Sequence, residues 1–177
     1  NSQYTNRDPR LAAIIGFNGA AYGTLGSVFT RIGDGATADG LNATVDRSTN
    51  TGYYLKKFLD FNIDFSKASP GTAFHLFPSI RLADILLLYA ESMNEAYGPL
   101  LDPRGYGLTA QAAVQRVRTR AGFKANDQYL AGVTGTIAMR DKIKNERRVE
   151  LAFEEQRYFD LRRWMDGHLL NQPARGI

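Results

Sequence analysis

The chain has no cysteine among its 177 residues. That absence removes disulfides, thiolate metal sites, a cysteine nucleophile and attachment of lipid to a cysteine within this stretch. Histidine is almost missing too: His75 and His168 stand far apart, outside any H-E-x-x-H pattern, so neither is expected to ligate a metal. No run of about 18 apolar residues occurs, and the polar start "NSQYTNRDPR" lacks a charged-then-apolar signal pattern, so nothing is expected to span or enter a membrane. A surplus of one charge is lacking as well. Twenty-two Lys and Arg face 18 Asp and Glu, and the net +4 gives a nucleic-acid role little support. "GFNGAAYG" is not a phosphate-cradling G-x-G-x-x-G, and "DGATADG" (34–40) lacks the alternating acids and closing Glu of a calcium loop. No cofactor and no metal are expected.

What remains is globular: 44% hydrophobic and 23% charged, enough chain for one domain or part of a larger one. The apolar, partly β-branched run "LAAIIGF" (11–17), closed by Asn18-Gly19, predicts a strand. "TGYYLKKFLDFNIDF" (51–65) predicts a second that can pair with it. Between them, residues 18–52 are rich in Gly, Thr, Asn and Asp without a sustained period, far longer than a usual connection. Asn42-Ala43-Thr44 in that stretch matches a glycosylation sequon.

The second half changes period. In "RLADILLLYAESMNEAYG", Leu82, Ile85, Leu86, Tyr89, Met93, Ala96 and Tyr97 recur at spacings of three and four, with Asp84, Glu91, Asn94 and Glu95 opposite. This predicts an amphipathic helix capped by Ser79 and stopped by Gly98-Pro99. "TAQAAVQRVRTRAG" repeats the pattern with Ala110, Ala113, Val114, Val117 and Ala121, with Thr109 as cap and Gly122 as terminator. A bulky face against a small-residue face is the unit of stacked helical repeats. A third helix is expected from about 137 to 164.

The stretch "NERRVELAFEEQRYFDLRRW" (145–164) carries charge almost as densely as apolar side chains. Val149, Ala152, Phe153, Phe159 and Trp164 share one side and Leu151, Tyr158 and Leu161 the other, so some of the interleaved charges must be buried and therefore paired. Glu150, Glu154 and Asp160 could instead form a glycosidase-type acid/base pair, but any Glu-rich helix brings carboxylates together. Arg147, Arg148, Arg162 and Arg163 could grip phosphate, but the acids between them would repel it. Structural ion pairs that fix helix docking are the favoured reading.

Two aromatics in the long loop, Tyr22 and Phe29, are the candidate ligand-binding residues. In a Gly-rich setting a flat ring can stack on a sugar while neighbouring Asn and Asp bind hydroxyls. The alternative is that they pin the loop to the core.

Together "DPRLAA" (8–13), "TGYYLKKF" (51–58), "IRLADILLLYAESMNEA" (80–96), "VQRVRTRAGF" (114–123) and "RDKIKNERRVELAFEEQRYFDLRRW" (140–164) resemble, in content and order, the C-terminal half of the SusD/RagB family. These are surface glycan-binding lipoproteins of Bacteroidetes outer membranes. The resemblance implies a mainly α fold of tetratricopeptide-like helix pairs with a long C-terminal helix, a small two-stranded β element and long loops. Strands and loop would occupy 1–78, the helix pair 79–123 and the signature helix 137–167. It implies a non-catalytic protein that binds oligosaccharide and delivers it to a TonB-dependent SusC-like transporter, with membrane attachment only through a lipid anchor outside this segment. The Arg147, Glu150 and Arg157 region matches the architectural part of the family signature. Family members are longer at both ends, so a fragment of a longer chain is expected, with much of the glycan site outside it. A helical-repeat scaffold that binds protein is the alternative, and a glycosidase is disfavoured.

Overall fold

In the computed structural model, residues 2–23, 26–31, 40, 48–63 and 67–171 are described. The "DGATADG" turn, except for Gly40, and the Asn42 sequon lie outside them. The chain forms two compact units, Asn1–Phe77 with Gly167–Ile177, and Pro78–Asp166.

In the first unit, the run expected as a strand begins as a short helix, α1 (Arg10–Ile14), and only Ile15–Gly16 extends as β1. The reason is local. Asp8 Oδ1 accepts from the Arg10 amide at 3.0 Å, its carboxylate also holds the Arg10 guanidinium, and Pro9 with φ −55° is already set for a helical turn. The second predicted strand shrinks to β2, Tyr54–Leu55, which pairs antiparallel with β1 in the register Ile15 to Leu55 and Gly16 to Tyr54. The expected pairing forms, over two residues per strand.

The second unit is the helical part. It holds α2 (Leu82–Tyr97), α3 (Ala110–Arg120), the four-residue α4 (Gln128–Ala131), α5 (Thr136–Glu150) and α6 (Gln156–Arg163). Thr109 caps α3 as expected, its hydroxyl accepting from the Ala112 amide at 3.1 Å. Gly98 ends α2 at φ 84°, a conformation that glycine adopts without steric cost. Ser79 does not cap α2, because the helix starts two residues later, behind an extended Arg81 whose guanidinium is used elsewhere.

The core joins Leu87, Ala90 and Met93 of α2 to Ala110, Ala113, Val114 and Val117 of α3, Leu130 of α4, and Met139 and Ile143 of α5. The small α3 side chains let the two helices approach closely, as their spacing predicts. The buried face of α2 is rotated from the expected one. Ala83, Asp84, Leu87, Ala90, Met93 and Asn94 are buried, whereas Leu82 and Ile85 are 72% and 51% exposed. The expected third helix is broken in two. Residues 151–155 form a turn in which Phe153 and Glu155 take positive φ of 64° and 62°.

Candidate functional site

Two constellations hold the residues singled out by sequence. The first is the loop of the first unit. Residues 17–23 lie back against 26–28: the Gly19 amide donates to the Val28 carbonyl at 2.7 Å and the Val28 amide to the Ala20 carbonyl at 3.0 Å, with a bridge between Ala21 and Ser27. Asn18 Oδ1 accepts from the amides of Thr30 and Arg31 at 2.9 and 3.1 Å, fixing the outgoing segment. Lys56 Nζ donates to the carbonyls of Ala12 and Ala21, both at 2.9 Å, tying this hairpin to α1.

Tyr22 is half-buried. Its hydroxyl donates to the Leu55 carbonyl of β2, and its ring meets Phe61 edge-on with centroids 5.3 Å apart. Gly16 makes room for it, since a Cβ there would come within 2.6 Å of the Tyr22 ring. Phe29 stands at the outgoing edge of the hairpin, 42% exposed, between buried Val28 and Thr30. The structure thus brings the two rings onto one hairpin with different surroundings: Tyr22 is held against the strands, and Phe29 presents apolar surface outward.

The second constellation is the charged stretch of the second unit. Glu150 and Glu154 are 2% and 5% exposed, and both close on Arg81, whose Nη1 reaches Glu150 Oε1 at 2.7 Å and Nε reaches Glu154 Oε2 at 2.7 Å. Arg81 Nη2 also donates to the Glu150 main-chain carbonyl at 2.7 Å, and Arg120 pairs with the same carboxylate. The turn that breaks the predicted helix bends Glu154 into this fork. Arg147 is buried between Asp84 at 2.7 Å and Asp160 at 2.8 Å. Arg163 joins Asp160 to Glu91, which also accepts from Trp164 Nε1 at 2.9 Å. Arg118 pairs with Glu146 and Asp127 and lies over the Phe123 ring, 3.9 Å from its centroid.

Burial pushes the Glu91 carboxyl up, but the hydrogen bonds from Arg163 and Trp164 outweigh it and hold the group below its ordinary value. Asp127 behaves alike, burial being outweighed by Arg118 and by the amides of Leu130 and Tyr129. The carboxylates considered for catalysis are therefore locked to arginines, which suits architecture: a guanidinium fork holds several oxygens in fixed directions. Arg157 departs from its neighbours. It makes no ion pair among the described residues, and burial together with the nearby Arg148 lowers its affinity for its proton. The anchoring arginine that sequence reasoning missed is Arg81, 69 residues from Glu150, for which no local pattern gives a signal. Among the described residues, no group of His, Cys, Asp and Glu is arranged to hold a metal, and no helix is long and apolar enough to cross a membrane.

Comparisons with known proteins agree with this architecture. The chain is similar to a SusD-like protein of Bacteroides fragilis, with 30% identity and a TM-score of 0.64. It is also similar to a SusD-like carbohydrate-binding protein of the same organism, with 26% identity and a TM-score of 0.64. Each match covers 94% of this chain and 30% of the solved one, so the chain spans under a third of the length of those structures. No curated protein matches it. The family model described as "SusD family" matches residues 1–176, nearly the whole chain, and the chain belongs to the SusD family.

Proposed function

We propose that this chain is part of a non-catalytic protein that binds oligosaccharide at the cell surface and passes it to a TonB-dependent SusC-like transporter. One observation carries the reading: the match to the SusD family over residues 1–176, joined to a likeness in fold to a carbohydrate-binding SusD-like protein. The full-length protein sits on the outer membrane through a lipid anchor beyond this segment. Phe29 is the sugar-facing ring of the hairpin, and Tyr22 is the post on which the hairpin rests.

The geometry supports that division. An exposed ring flanked by backbone that Asn18 fixes can stack on a pyranose without reorganising, which keeps the ordering cost of binding low. An oligosaccharide array followed by calorimetry tests it. Phe29→Ala should weaken binding of the array's best glycan by about 1 to 3 kcal/mol, the range for bases stacked on aromatic side chains, and leave Tm unchanged. Binding of peptide ligands with no response to any glycan would favour the scaffold alternative, and saturable cleavage of a glycan by pure protein would defeat the binding-only reading.

A further inference from the structure

The short helix α4 is anchored far more heavily than four residues require. Asp127 Oδ1 accepts from the amides of Tyr129 and Leu130 at 3.1 and 3.3 Å, while Asp127 Oδ2 takes the Arg118 guanidinium at 2.6 Å. Gln111 Nε2 donates to the carbonyls of Leu130 and Val133 at 3.0 and 3.2 Å, and Leu130 is 1% exposed in the core. All this fixes the backbone beneath Tyr129, a residue that is itself 70% exposed. A rigid mount under an exposed aromatic ring calls for an explanation beyond packing.

Tyr129 lines an open groove of about 510 Å³ between α4 and α5. That volume falls within the range of small-molecule sites, about 300 to 1,000 Å³. Val133 and Ala138 give the groove apolar surface, and Gln128, Asp141 and Asn145 give it polar side chains. Among the described residues, the side chains of Asp141 and Asn145 make no hydrogen bond or ion pair, their helical main-chain bonds aside. Lys142 Nζ lies 4.4 Å from the centroid of the Tyr129 ring and steadies it.

We propose that this groove is a second carbohydrate site, taking one end of a neutral oligosaccharide with a sugar ring against Tyr129. The chemistry selects the class. A flat ring beside amide and carboxylate groups matches a pyranose, which has an apolar face and equatorial hydroxyls that donate to Asp141 and exchange hydrogen bonds with Asn145 and Gln128. The lining carries one carboxylate and one ammonium, Asp141 and Lys142, so its formal charges balance, which suits a neutral ligand. The site belongs wholly to the second unit and rests on the carbohydrate-binding reading of the protein.

The test is an amide chemical-shift titration of the full chain with maltohexaose, cellohexaose, xylohexaose and laminarihexaose. At least one should move the signals of Gln128, Tyr129, Ala138 and Asn145 in a saturable way. Tyr129→Ala should weaken that binding about tenfold or more with no change in Tm, and Asn145→Ala should weaken it less. Shifts confined to the hairpin around Phe29 would overturn the second site and leave the carbohydrate reading standing. Binding by none of the four probes, or saturable shifts at the groove that survive Tyr129→Ala, would overturn the proposal.

Discussion

The two units solve the same problem by different means. In Pro78–Asp166, helices satisfy the backbone, an apolar core joins four of them, and arginine forks tie the charged residues across the unit. Among the described residues of Asn1–Phe77 regular structure is scarce, and side chains do the tying: Asn18, Lys56, Tyr22 and Thr49 each bond to main chain several residues or tens of residues away. A backbone held by single side chains can change its loops without losing a core, which is what a recognition surface requires. A helical unit held by buried charge cannot, because each charge needs its own partner.

Substitutions can break that contrast. The largest effect is expected at Arg147, where alanine would leave Asp84 and Asp160 buried without their shared cation at a cost of about 3 to 5 kcal/mol. Glu150→Ala removes one of the two carboxylates on Arg81 and the partner of the largely exposed Arg120, while Glu154 stays on Arg81, so it should cost less than Arg147→Ala, about 1 to 3 kcal/mol. Urea titration followed by circular dichroism would measure both. A loss below about 1 kcal/mol, typical of exposed pairs, would mean that solvent reaches the fork.

Acid sharpens the same comparison. Glu91 and Asp127 have folded pKa values below their ordinary ones. Their contribution is complete above the ordinary carboxylate range, about 3.9 to 4.3, and is lost as pH falls through the lower folded values. Tm should therefore hold from about pH 5 upward and fall below about pH 4. The single tryptophan, Trp164, donates to Glu91, so its fluorescence should report the loss within the second unit.

Smaller effects belong to the first unit. Gly16→Ala drives a methyl into the Tyr22 ring and should cost about 1 to 3 kcal/mol as overpacking. Amide exchange should show residues 17–23 loosening while the second unit keeps its protection. Tyr22→Phe removes one hydrogen bond to the Leu55 carbonyl, worth about 0.5 to 1.5 kcal/mol. The smallest change is expected at Arg157. It has no ion-pair partner among the described residues, and the repulsion from Arg148 is offset by attraction to Asp160 and Asp166, so Arg157→Ala should stay within about 0.5 kcal/mol of the parent chain.

Local physics was legible in the sequence wherever the deciding partner lay close by. The helix pair, the Thr109 cap, the Gly98 stop and the pairing of the two extended segments, though not its register, follow from turn chemistry and period. Asp8-Pro9 at the start of α1 is a helix signal, set against β-branched residues that favour a strand. The rotated face of α2 was not legible. Asp84 is buried because Arg147 waits 63 residues away, and Asn94 because the Thr136 carbonyl does, whereas a hydropathy period registers only that both are polar. The break after α5 was hidden for a related reason: Phe153 and Glu155 adopt conformations usually left to glycine, and the fork that gathers Glu154 lies on distant Arg81. For the candidate site, sequence picked out Tyr22 and Phe29 but could not tell which ring is the more exposed. It passed over Tyr129, whose setting depends on Asp127, Gln111 and Arg118 together.

The arginine forks also have a kinetic consequence. Arg81, Asp84 and Glu91 meet partners 63 to 73 residues further along, so their bonds form only once nearly the whole helical unit has been threaded and closed. Closing such long loops costs entropy before the bonds repay it, so these distant charges should contribute little at the folding barrier. They act afterwards. Replacing Arg147 should hardly slow refolding but should hasten escape from the native state, visible as a raised unfolding limb above an unmoved refolding limb. In that sense the buried charges are a latch: they govern how long the unit stays shut, not how quickly it finds its shape.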